Sequence, residues 1–157
     1  MKLLFKQRLF SWFDSYDIYD EAGNVAFVVK GRLSWGHLLE IYDAAGYHIG
    51  TLKEEIFHFM PRFSMYFGDQ YVGQIRKEFT FFKPSFQLDC NGWQVSGDLF
   101  SWNYQVYEPS GNIVMSAEKQ IFNWTDTYVI DIAHTENALI SLMIVLAIDA
   151  ANCEKRD

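Results

Sequence analysis

Near the C-terminus the segment Ala138 to Ala151 is apolar on nearly every side of a helix, and this dictates what the rest of the chain must provide. A helix that is hydrophobic all round has no face to turn to water, so it must be enclosed by protein or by lipid. Thr135 is expected as its N-cap, with Glu136 in the first turn, where the helix dipole favours an acid. The uninterrupted apolar run from Leu142 to Ile148 is far short of the ~20 residues that cross a bilayer, and Asp149 closes it. Enclosure by protein is therefore expected, with the helix over about 136–152.

The preceding residues supply a suitable enclosure. A turn signal recurs at Tyr19-Asp20-Glu21-Ala22-Gly23, Tyr42-Asp43-Ala44-Ala45-Gly46, Asp89-Cys90-Asn91-Gly92 and Tyr107-Glu108-Pro109-Ser110-Gly111, with Phe67-Gly68-Asp69 as a shortened copy. Asp bonds its own following backbone and Gly accepts positive φ, so these are hairpin loops. A second signal sets a basic residue before an aromatic cluster: Lys6 before Phe10-Ser11-Trp12, Lys30 before Leu33-Ser34-Trp35, Lys77 before Phe81-Phe82-Lys83-Pro84, and Lys119 before Phe122-Asn123-Trp124. Phe100-Ser101-Trp102 repeats it without the lysine, and the stretch Phe57 to Pro61 occupies a middle unit.

Between the signals lie runs with period-two alternation, among them Val25 to Lys30, Leu38 to Asp43, Ile49 to Lys53, Tyr71 to Arg76, Tyr104 to Tyr107, Ile113 to Met115 and Tyr128 to Asp131. The repeat implies about six units and about twelve strands. A sheet that large curls, and closure removes its exposed edges. The fold predicted is one mostly β domain over all 157 residues. It is a closed antiparallel barrel of about twelve strands, over residues ~1–132, that encloses the C-terminal helix. The 18% aromatic content suits strands.

The formal net charge of −7, from 20 acidic and 13 basic residues, opposes a general attraction to nucleic-acid phosphates. Cys90 and Cys153 are far apart and form no CxxC pair, which argues against a disulfide framework or a thiolate zinc site and for reduced thiols. The N-terminal Met1-Lys2-Leu3-Leu4-Phe5-Lys6 has too short an apolar run for a secretory signal, so a cytoplasmic protein is expected. Asn123-Trp124-Thr125 is a chance sequon in that setting.

The search for catalytic chemistry is negative. There is no GxSxG, HExxH, P-loop or GxGxxG, and His37, His48, His58 and His134 lack helix-borne ligand spacing. No catalytic residue, metal site or cofactor is expected. Asp14, Asp17, Asp20 and Glu21 depart from the EF-hand pattern and read as solvated charge. Asp149, within an apolar helix, needs a partner and is expected as a hydrogen-bonded group at the barrel mouth.

The most suggestive functional feature is a recurring cation at strand ends: Lys30 with Arg32, Lys53, Arg76 with Lys77, and Lys119. A regular repeat would gather them near one end of the barrel as an anion-binding patch for lipid headgroups. The plainer reading is that they blunt strand edges and solubilise the rim. Trp12, Trp35, Phe82, Trp102 and Trp124 beside them suit a membrane interface or, more commonly, the core.

The aromatic connectors, together with Phe79-Thr80-Phe81-Phe82-Lys83-Pro84-Ser85-Phe86, Gly92-Trp93-Gln94-Val95-Ser96-Gly97-Asp98 and Leu142-Met143-Ile144-Val145-Leu146-Ala147-Ile148-Asp149, resemble the tubby C-terminal-like superfamily. Within it the chain looks like the LURP-one-related proteins, which include small bacterial members. The resemblance implies a twelve-stranded barrel threaded by a hydrophobic helix, with no established catalytic centre. It also brings the phosphoinositide binding of tubby proteins and the membrane association of the related scramblases, although the tubby lipid-binding motif has no residue-by-residue counterpart here. Two functions are thus expected: a non-enzymatic module that binds anionic phospholipid at the membrane surface, or a protein-interaction scaffold that does not bind lipid.

Overall fold

The computed structural model describes residues 1–5, 15–34, 36–80, 84–122 and 125–153. Twelve strands are present: β1 (Lys2–Phe5), β2 (Ser15–Tyr19), β3 (Val25–Ser34), β4 (Gly36–Asp43), β5 (His48–Glu54), β6 (Arg62–Phe67), β7 (Gln70–Phe79), β8 (Pro84–Asp89), β9 (Gln94–Asp98), β10 (Asn103–Tyr107), β11 (Ile113–Phe122) and β12 (Thr125–Ile132). A 3₁₀ turn, Thr135–Asn137, leads into α1 (Ala138–Cys153). The strands form one antiparallel sheet in the order β8-β7-β6-β5-β4-β3-β2-β1-β12-β11-β10-β9. Pairing of β1 with β12 joins the two halves, and the sheet curls into a nearly closed barrel.

All five turn signals fall between paired or neighbouring strands, and two of them share one geometry. Asp20 Oδ1 accepts from the backbone N–H groups of Ala22 (2.9 Å) and Asn24 (2.8 Å), and Asp43 Oδ1 accepts from those of Ala45 (3.0 Å) and Tyr47 (2.9 Å). Gly23 and Gly46 close the two turns at φ 83° and 89°. The hairpin loops therefore crowd one end of the barrel, and the connectors between repeats occupy the other.

One seam is not laddered. Among the described residues β8 and β9 exchange no strand pairing, although the short turn at Cys90–Trp93 joins them. Phe86, Leu88, Cys90 and Trp93 are buried there and belong to the core. Outside them runs a groove of about 350 Å³ that includes Gln87, Gln94 and Val95.

The helix fills the barrel. Leu142 through Ala151 are all buried, and Leu142, Met143, Ile144, Val145 and Ala147 are wholly inaccessible to solvent. Inward residues alternate along the strands to meet it, including Val29, Leu39, Ile41, Leu52, Met65 and Ile75. By length and composition Thr135–Cys153 also suffices for a bilayer span, so burial rather than length assigns it to the core. The N-terminal expectation needs correction. Thr135 begins the 3₁₀ turn rather than capping it, and the cap position belongs to His134, whose side chain makes no capping bond. The turn instead takes its first bond from backbone, Asn137 N–H to His134 C=O at 2.9 Å.

Gly50 on β5 shows how closely helix and wall approach. A Cβ at this position would collide with the Met143 terminal methyl and sit 3.3 Å from both Leu139 Cδ1 and the Tyr66 carbonyl. Gly50→Val is favourable by strand propensity, yet overpacking should destabilise the domain by about 1–3 kcal/mol. Urea unfolding checks this, and a variant as stable as the wild type would show that the helix is not held against β5.

Candidate functional site

Strand direction places all six cations singled out from the sequence toward the connector end, because each lies near the end of a strand that meets a connector. Alternation then separates them. Lys30, Arg32, Lys53 and Arg76 are outward positions, whereas Lys77 follows the buried Gly73 and Ile75 on the inward row of β7.

Lys77 is 3% exposed and is not part of a surface patch. Its Nζ donates to the Ala151 carbonyl at 3.0 Å and to Asn152 Oδ1 at 3.4 Å. It lies 5.7 Å above the Phe86 ring and 5.8 Å above Phe100. A cation at the end of α1 meets carbonyls that have no intrahelical donor and the negative end of the helix dipole. Asn152 extends this cap by donating to the Leu99 carbonyl at 3.0 Å.

Lys30 and Arg32 belong to a closed polar cluster on β3 and β4. Arg32 Nε donates to Glu40 Oε2 at 2.9 Å, the Tyr42 hydroxyl donates to the same oxygen at 2.7 Å, and Lys30 Nζ stands 4.5 Å over the Tyr42 ring. Burial pushes the Glu40 carboxyl up, but the bonds from Tyr42 and Arg32 outweigh it and leave Glu40 below its ordinary value. Lys119 is on β11, across the barrel from β5, with its Nζ 5.9 Å over the Tyr128 ring. The six cations therefore do not form one patch.

What the structure brings together is smaller and includes a residue the sequence reading missed. Arg62 at the start of β6 is the direct register partner of Arg76 on β7, and both face outward. Lys53 on β5 is paired with Ser64, two residues along the same face from Arg62. Like charges directly opposite each other across a ladder are unfavourable, yet the Nε atoms of both arginines are buried and have no hydrogen-bond acceptor among the described residues. Arg76 Nε forms an ion pair with Glu78 at 3.7 Å, without the shorter contact of a hydrogen bond. Arg62 and Arg76 are thus register neighbours on the outer wall, and guanidinium groups are the side chains whose planar forks match phosphate or carboxylate.

A second polar group is enclosed in the barrel. Asp149 is 3% exposed and accepts from Trp102 Nε1 at 3.3 Å. Burial, reinforced by the Asp149 charge, holds the phenols of Tyr16 and Tyr104 far above their ordinary value. Trp102 takes φ 53° and packs its ring 4.6 Å from Tyr128 and 6.2 Å from Phe5, so the indole is fixed on the carboxylate. Asp149 is thus a hydrogen-bonded group within the filled interior, near the connector mouth.

The remaining titratable groups do not converge. His37 lies 3.8 Å from Glu54, His48 Nε2 is 2.9 Å from Thr51 Oγ1, and His58 and His134 are exposed. Burial, and then Asp89, push the Cys90 thiol up to about 11, which keeps it protonated and unreactive at neutral pH. Among the described residues no three of His, Cys, Asp and Glu gather as a metal site. Among the described residues, Glu78 is the one titratable group lining the β8/β9 groove. Asp17 is exposed on β2 and Asp20 is engaged in its turn. Asp14, Trp12, Trp35, Phe82 and Trp124 lie outside the described residues.

These features define a class: an antiparallel barrel whose interior is filled by its own C-terminal helix and whose free chemistry lies on the outer wall. The chain belongs to the LURP-one-related family, whose family model matches residues 1–149. It is 31% identical over 150 residues to "Uncharacterized protein YxjI" of Bacillus subtilis (strain 168), an alignment covering 95% of this chain and 92% of that protein. No solved structure matches the chain significantly.

The buried phenols give the fold a pH dependence with a definite sign. A raised phenol keeps its proton in the folded chain after the unfolded chain has lost its own. Its contribution is complete below about pH 10 and is lost as pH climbs from there toward the folded value, at about 1.4 kcal/mol per pH unit for each tyrosine. Tyr104→Phe should flatten the alkaline limb of a plot of urea midpoint against pH. Identical alkaline slopes in variant and wild type would refute the assignment.

Proposed function

We propose that this domain is a non-enzymatic module that binds anionic phospholipid headgroups at a membrane surface through the outer wall of β5–β7. The observation that carries this reading is the Arg62/Arg76 pair, with both Nε donors buried and without an acceptor. Lys53 adds charge on the neighbouring strand. Cations near an anionic leaflet contribute about 1 kcal/mol each, so three of them suffice for a reversible, salt-sensitive attachment. The non-enzymatic part of the reading is supported by the filled interior, because α1 occupies the space in which a barrel would hold a substrate. It is also supported by the scattering of the histidines and acids. A cytoplasmic protein that visits the membrane from one side fits the same picture.

The test is co-sedimentation with phosphatidylserine-containing vesicles against pure phosphatidylcholine vesicles at low salt. Wild type should prefer the anionic vesicles, and the double variant Arg62→Gln, Arg76→Gln should lose that preference by about tenfold or more, equivalent to ~1.4 kcal/mol. Lys77→Met should leave the preference intact while lowering stability, because Lys77 caps α1 from inside. Equal binding by the double variant and the wild type would remove the arginine pair from the function.

A further inference from the structure

The connector between β5 and β6 carries the two most exposed aromatic side chains recorded for the protein: Phe57 is 94% exposed and Phe59 is 98% exposed. A phenyl ring gains about 1.5–3 kcal/mol when fully removed from water, so two bare rings within three residues are an unusual feature in a chain that buries Phe5, Phe63 and Phe86. The loop is also built rather than loose. Glu55 N–H donates to the Arg62 carbonyl at 2.8 Å, and the Pro61 carbonyl accepts from Lys77 N–H at 3.0 Å, which pins both feet to the sheet. Ile56 packs its Cγ2 against Gly36, 2.7 Å from where a Cβ would stand. Phe57 itself takes φ 71°, a left-handed conformation that costs energy for a bulky residue and persists where the surrounding structure imposes it. The anchored Ile56 and the strained Phe57 together turn the tip outward.

What surrounds the loop indicates what receives it. Its C-terminal foot is Arg62, one member of the Arg62/Arg76 pair, and its N-terminal side is β5 with Lys53. The nearby acid Glu54 is turned away, accepting from the His37 backbone N–H at 3.1 Å, while Glu55 stands at the foot and Glu78 lies 3.7 Å from Arg76. Apolar rings at the tip and cations at the base match the layering of an anionic membrane, with acyl chains beyond a plane of phosphates. The dimensions agree. Three residues from either foot reach at most ~10 Å, and interfacial segments bury their apolar face about 5–10 Å deep.

We propose that the segment Ile56–Met60 is a membrane-insertion loop, in which Phe57 and Phe59 enter the acyl region while Arg62, Arg76 and Lys53 engage the phosphate layer. This rests on the headgroup reading above and specifies its partner as a lipid bilayer rather than a free phosphate or an anionic peptide. The rings supply attachment that salt does not screen, and the cations supply the choice of an anionic leaflet.

The test uses the full chain and the double variant Phe57→Ser, Phe59→Ser. Both side chains are almost fully exposed, so the variant should keep the wild-type circular dichroism and urea midpoint. On phosphatidylserine-containing vesicles, wild type should retain binding at high salt, whereas the variant should bind at least about tenfold more weakly and lose the salt-resistant fraction altogether. In a Phe59→Trp variant, added indole emission should be quenched by lipids brominated along the acyl chain. Equal vesicle binding by variant and wild type at every salt concentration would overturn the insertion loop while leaving the headgroup reading intact. A weakened phenylalanine variant beside an unaffected Arg62→Gln, Arg76→Gln variant would overturn the headgroup reading instead. No binding of wild type to any vesicle overturns both. Self-association by sedimentation equilibrium that the phenylalanine variant abolishes, without quenching of Phe59→Trp, would assign the loop to a second copy of this chain and overturn the membrane assignment.

Discussion

A 16-residue helix with buried residues on every side is stable in a β protein only when strands surround it completely. Barrel width grows with strand number, and about eight strands leave room only for their own inward side chains. A helix with side chains is about 10–12 Å across, so a larger circumference is required, and the twelve-stranded sheet provides it. Gly50 marks where even this circumference is tight, because β5 gives up its side chain to admit Met143 and Leu139. Among the described residues the β8/β9 seam alone is not laddered. Closing it is left to buried Phe86, Leu88 and Trp93 rather than to backbone pairing.

Enclosing the helix creates a second problem at its C-terminal end, where free carbonyls emerge inside an apolar wall. Lys77 meets that need by donating to the Ala151 carbonyl and to Asn152 Oδ1, and the Asn152 amide in turn donates to the Leu99 carbonyl and joins the helix end to the β9–β10 connector. Asp149, one turn earlier, is held by the Trp102 indole among the rings of Tyr16, Tyr104 and Tyr128. Hydrogen bonds thus join β7 and the β9–β10 connector to the helix end, and the buried rings of Tyr16 and Tyr104 bring β2 and β10 beside Asp149. The adjacent residues Arg76 and Lys77 have different roles because strand alternation sends one to the outer wall and the other to the helix.

The sequence makes the architecture legible because its signals are local. Asp20 and Asp43 bond their own turns, period-two alternation is written within each strand, and the apolar helix contrasts with everything before it. The candidate site is legible only in part, since it depends on neighbours across strands. Nothing local in Pro61-Arg62 or in Gln74 to Lys77 says that Arg62 faces Arg76; the β6–β7 register decides it, including the irregularity between Met65 and Tyr66. The exposed rings were hidden for a different reason. In the β9–β10 connector Trp102 packs inward although it too takes a positive φ, while Phe100 is half exposed, so neither residue type nor backbone conformation alone tells an inward ring from an outward one; the seating of Ile56 against Gly36 is what turns Phe57 and Phe59 out. Thr135 misled because its residue type suits a cap, whereas the 3₁₀ turn starts one residue earlier than that reading required.

A net charge of −7 would seem to oppose attachment to an anionic surface, but the charge is not evenly placed. Asp20, Glu21, Asp43, Asp69, Asp89 and Glu108 all belong to the hairpin-loop end, where they shape or flank the turns. Lys53, Arg62 and Arg76 are toward the connector end, separated from those acids by the length of the strands. Strands of six to ten residues put roughly 20–30 Å between the two ends, and charges are screened over about 10 Å at 0.1 M salt. An anionic surface approached by the connector end therefore meets the arginine pair and Lys53 at close range, with Glu55 and Glu78 beside them, while most of the hairpin acids are screened from it. Approached by the other end, it meets those acids beside Lys2, which is paired with Asp131 at 4.0 Å. In the proposed attachment this placement of charge, with the exposed Phe57 and Phe59, would turn the connector end toward the membrane.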